Sequence, residues 1–151
     1  PFLRAGVPGL LLWHFTDVYY HTDGDRVDMV SPATMKNVGV CALAMAFTLT
    51  DPPDDCATRL VSELVNAFFE RIHAEVENLP KAIEAGGTIA DEREIREAWV
   101  SWYIGAVATT ADIPVKTEAV LADRIRQATF TITRMGDTLI QALGDGDDRD
   151  E

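Results

Sequence analysis

Apolar side chains fall along this chain in two different rhythms, and the change of rhythm divides it. From Gly9 to Phe15 they are nearly continuous, which suits a strand covered on both faces, so residues 10–15 are predicted as a strand. The next stretch, to Val30, is polar and carries His21 with Asp17, Asp23, Asp25 and Asp28. Ser31 and Pro32 then predict a helix start, because serine caps orphan N–H groups and proline is pre-set for the first helical position. The helix over 32–50 is apolar nearly all round, through Met35, Val38, Cys41, Met45 and Leu49 with Val40, Leu43 and Phe47. Such a helix is expected to lie buried between layers. The run Asp51-Pro52-Pro53-Asp54 ends it and marks a domain boundary.

Beyond the boundary the spacing becomes helical. Leu60, Val61, Leu64, Val65, Phe68, Ile72, Val76 and Leu79 recur at threes and fours and predict one apolar face on a helix over 57–79, capped by Asp54 or Asp55. Pro80 and Gly86-Gly87 are expected to bound a short separate piece, 81–85. Asp91 is the expected cap of the next helix, through Ala108, with Ile95, Trp99, Trp102, Tyr103 and Ala106 inward. After Ile113-Pro114, a last helix over 116–143 repeats Leu121, Ile125, Ala128, Ile132, Met135, Leu139 and Leu143. That strict seam requires a partner helix, supplied by the other helices or, in a homodimer, by a second subunit. The predicted fold is thus α/β over 1–50, an all-α bundle over 54–143, and a disordered acidic tail over 144–151. The chain as a whole is expected to be mostly helical.

Composition narrows the function. With 25 acidic against 13 basic residues the net charge is −12, which repels phosphate backbones, so no nucleic-acid partner is expected. A 47% hydrophobic content excludes wholesale disorder. The longest apolar region, 38–49, is shorter than the ~20 residues of a membrane span and is broken by small and polar residues, so no span is expected. Cys41 and Cys56 lack a C-x-x-C pattern and read as buried free thiols.

The loop carries a more specific signal. PFLRAGVPGLLL, then Tyr20-His21-Thr22, then Asp25 and Asp28, then a long helix, together resemble the C-terminal end of the catalytic domain of di-zinc aminopeptidases. These form metallopeptidase family twenty-eight, which includes glutaminyl-cyclase and glutamate-carboxypeptidase relatives. The resemblance implies that His21 is the final zinc ligand, on a loop after a core strand, and that Tyr20 is a catalytic residue hydrogen-bonding the tetrahedral intermediate. Ser31 and Arg26 stand where the family commonly has Asp and Thr, and neither touches the metal in the family pattern. The other ligands of the two zinc ions, and the glutamate base, lie upstream in family members. With Pro1 rather than a methionine at its start, the chain is expected to be the C-terminal portion of a longer enzyme and inactive alone.

The resemblance therefore implies a zinc-dependent exopeptidase acting on peptides, most simply an aminopeptidase, and many relatives are exported. A glutaminyl-cyclase-like zinc enzyme and a non-catalytic helical interaction or dimerisation module on a peptidase remnant are the alternatives. Other residues read as ordinary. His14 and His73 are expected to be structural, Asp25 and Asp28 to bond loop amides, and Trp99, Trp102 and Tyr103 to fill the bundle core.

Overall fold

A computed structural model describes residues 3–6, 12 and 17–144. Among these the chain is mostly helical and contains no strand. The strand predicted over 10–15 falls outside the described residues except for Leu12, as do His14 and the tail beyond Gly144. The chain divides into two compact units, Pro1–Thr50 and Asp51–Glu151.

In the first unit, 3-10 turns at Leu3–Ala5 and Val27–Met29 precede α1, Pro32–Thr50. Its start follows the expected chemistry: the Ser31 hydroxyl accepts from Thr34 N at 3.3 Å, and Pro32 is the first helical residue. The expected burial of α1 is not found. None of its residues is buried, and Phe47, at 73% exposure, is the extreme. A helix apolar on every side is hidden only where layers flank it on both sides, and no residue of α1 has that cover. Cys41 is accordingly an exposed thiol, while Cys56 is buried as expected. At 19 residues α1 is, by length and composition, long and apolar enough to cross a membrane. Length and composition alone assign it no membrane role. The apolar run 38–49 understated its length because Pro32 to Asn37 joins the same helix.

In the second unit, α2 (Cys56–Glu84), α3 (Ile89–Thr109) and α4 (Glu118–Gly144) pack on one another, with a 3-10 turn at Thr110–Asp112 between the last two. Phe68, Val107 and Ile132 are the largest fully buried side chains, and Val61, Ile72, Tyr103, Leu121 and Ala128 surround them. Burying each large apolar group contributes roughly 1.5–3 kcal/mol. The seam on α4 is thus the core stripe its spacing predicts, except that Met135 is 37% exposed. On α2, Val76 likewise lies at the edge, 40% exposed.

Two local expectations are corrected. The helix does not break at Pro80; α2 continues to Glu84. Proline deletes one N–H, but at the exposed C-terminal end of α2 the carbonyl it strands can be served by water. The cap of α3 is Thr88 rather than Asp91. Thr88 Oγ1 accepts from Asp91 N at 3.1 Å, and Asp91 Oδ2 accepts from Thr88 N at 2.9 Å. Asp91 is therefore the reciprocal partner of a capping box, three residues into the helix.

Polar ties fix the register between helices. Tyr103 Oη donates to Ala67 O at 3.1 Å, and Trp99 Nε1 donates to Glu75 Oε1 at 3.0 Å beneath the Arg71 guanidinium, 4.4 Å from the ring centroid. Tyr103, edge-on to Phe68 at 5.5 Å, is the core aromatic. Trp102 is not in the core: it is 56% exposed. Buried Arg96 joins α3 to α4 by donating from Nη1 to Leu139 O at 3.1 Å.

Candidate metal-binding loop

The loop before α1 folds by local hydrogen bonds rather than by burial. Asp17 Oδ1 accepts from Tyr19 N at 2.9 Å, which opens the turn. Thr22 closes it: its N–H and hydroxyl both donate to Tyr19 O, at 2.9 and 2.6 Å. The same hydroxyl accepts from Gly24 N at 3.2 Å, and Thr22 O accepts from Asp25 N at 3.1 Å. Arg26 Nε then donates to Asp23 O at 3.0 Å, and the 3-10 turn at Val27–Met29 leads to Ser31.

His21 lies at the apex of this turn with φ 61°, the one non-glycine residue at positive φ among those described. Histidine is among the few side-chain-bearing residues enriched in that left-handed region, and held backbone strain of this kind clusters at functional sites. His21 is exposed, its ring 4.0 Å from that of Tyr20, which is 46% exposed. No hydrogen bond engages either imidazole nitrogen among the described residues. The structure thus brings Tyr20 and His21 together on one turn.

As a donor set for zinc the loop offers one imidazole, a suitable ligand type whose ring nitrogens have no hydrogen-bond partner among the described residues. No group of three or more His, Cys, Asp or Glu that could hold a metal gathers among the described residues, so His21 fits as one ligand of a site and not as the whole of it. The expected amide-bonding role of the loop aspartates is taken by Asp17, which was not singled out for it. No side-chain bond from Asp25 or Asp28 to the loop amides, or to the His21 ring, is present among the described residues.

Elsewhere, His73 lies exposed on α2, 3.4 Å from Glu77, an ordinary one-turn surface pair. A cleft of about 500 Å³ opens between the 111–115 turn and the start of α4, lined by Ile113, Pro114, Leu121 and Ile125 with Asp112 and Arg126. It holds no histidine or cysteine. Comparison with family models, with curated proteins and with solved structures finds no match to this chain.

Proposed function

We propose that the chain is the C-terminal portion of a zinc-dependent exopeptidase, an aminopeptidase that removes N-terminal residues from peptides. The observation that supports this reading most strongly is the Tyr20-His21-Thr22 turn followed by Asp25 and Asp28. The His21 imidazole, with no hydrogen bond to its ring nitrogens among the described residues, sits in a left-handed turn ten residues before the serine that caps α1. The order of tyrosine, histidine and threonine, two aspartates and a long helix is what the resemblance to di-zinc aminopeptidases implies around the last metal ligand.

In this reading His21 holds one of two zinc ions through a ring nitrogen, in the neutral form a metal requires. Zinc held there would supply Lewis acidity and an acidified water for peptide hydrolysis. Tyr20 stands beside His21 on the same turn, and the resemblance gives it the role of hydrogen-bonding the oxyanion. In the family this segment resembles, the remaining ligands and the general base lie upstream of the corresponding loop.

The test is hydrolysis of aminoacyl p-nitroanilides by the full-length protein. Activity that disappears on chelation and returns with zinc is expected. Cyclisation of N-terminal glutamine without peptide hydrolysis would replace the aminopeptidase reading by the glutaminyl-cyclase one. Absence of both activities in a zinc-loaded protein would favour a helical interaction module on a peptidase remnant.

A further inference from the structure

We infer that Thr22 is a positioning residue for His21: its hydroxyl locks the turn that holds the histidine in its left-handed conformation, and so sets where the imidazole points. This rests on the reading of His21 as a zinc ligand.

A residue bearing a Cβ is held at φ 61° against a steric cost, so something nearby must enforce it. The loop has no core to do so, since its residues are exposed apart from half-buried Gly24. What it has is Thr22. One hydroxyl binds the chain on both sides of the apex, donating back to Tyr19 O at 2.6 Å and accepting from Gly24 N at 3.2 Å. Residues 19 to 24 are thereby closed into a ring with His21 near its centre. The Thr22 main chain doubles each link, to Tyr19 O behind and from Asp25 N ahead.

Gly24 lets the ring close tightly. A Cβ there would come within 2.9 Å of Tyr19 Cδ1, so the Tyr19 ring lies against a space only glycine leaves open. Neither Thr22 nor Gly24 has to touch the metal. Their effect is to fix the direction of a ligand, which is how groups outside the coordination sphere govern metal affinity.

The experiment compares zinc binding by the full-length protein with Thr22→Val, which keeps the shape and loses both hydroxyl bonds, and Thr22→Ser, which keeps the oxygen. His21→Ala is the reference. Amide hydrogen exchange at Gly24 is the second readout. Thr22→Val is expected to weaken the affinity for one zinc equivalent by about 10–100-fold and to speed exchange at Gly24, with the melting temperature of the helical unit unchanged. Thr22→Ser should restore both to near the wild-type values. Wild-type zinc affinity in Thr22→Val, alongside lost zinc in His21→Ala, would overturn the positioning role and leave the zinc reading intact. Full zinc retention in His21→Ala would overturn the zinc reading, and the positioning role with it.

Discussion

Gly136 lies buried on α4 where that helix meets α3, and replacing it with alanine sets two effects against each other. In an open helix the change stabilises by about 1 kcal/mol, because glycine gives up more backbone entropy than alanine. Here the new Cβ would run into Val100 Cγ2 and stand 3.3 Å from Cγ1 and 3.4 Å from Cβ of the same residue. Valine in a helix has one strongly preferred rotamer, so Val100 cannot swing aside and the helices must part. Overpacking of this sort costs about 1–3 kcal/mol, which outweighs the propensity gain in most of its range. Gly136→Ala should therefore destabilise by up to about 2 kcal/mol, while Gly105→Ala, with nothing within 4 Å of its Cβ, should stabilise by about 0.5–1 kcal/mol. Urea unfolding followed by circular dichroism measures both. Combining Val100→Ala with Gly136→Ala should cost less than the sum of the two alone, because the added methyl fills the space the valine vacates. Equal stabilisation by Gly136→Ala and Gly105→Ala would refute the close approach of α3 to α4.

Two further outcomes follow from the same packing. Ile132 is fully buried, so Ile132→Asp forfeits roughly 1.5–3 kcal/mol of burial and adds several more for an unpaired charge. That is enough to unfold a bundle of ordinary stability, and unchanged helicity and melting temperature would contradict it. The Thr88 hydroxyl, and secondly its backbone N–H, hold the Asp91 carboxyl below its ordinary range. A depressed carboxyl stabilises the fold above the unfolded-state value of about 4, and that contribution is lost as pH falls through the folded value. Asp91→Asn should remove this component of the loss in urea midpoint as pH falls below about 4, and an identical pH profile would exclude it.

The helical unit was legible in the sequence because its signal is periodic. The α4 seam at Leu121, Ala128, Ile132 and Leu143 is buried, and Phe68 and Ile72 carry the facing stripe on α2. What spacing could not show was how each helix is rotated at the edges of the core. Trp102 and Val76 sit on apolar stripes yet turn to solvent, whereas the charged residues Glu92 and Arg96 are buried. Arg96 Nη1 donates to a carbonyl 43 residues away in sequence, while its Nε and Nη2 are buried without a hydrogen-bond partner among the described residues, an arrangement that no local pattern encodes. The cap of α3 was misplaced by three residues because threonine and aspartate share one capping box, and either residue alone signals a helix start. Pro80 is the opposite case: its missing hydrogen bond matters little at the exposed C-terminal end of a helix that is otherwise packed.

In the loop, the residue types announced a site, but the sequence could not show the left-handed turn at His21 or the hydroxyl of Thr22 that closes it. Both arise from backbone geometry over six residues, below the length at which periodicity speaks.

Zinc content by elemental mass spectrometry, on the full-length protein and on its His21→Ala variant at equal folded concentration, tests the central reading most directly. Two equivalents of zinc per chain in the parent and one in the variant, with most peptidase activity lost, is the predicted result. Two equivalents in both proteins would contradict the assignment of His21 as a ligand.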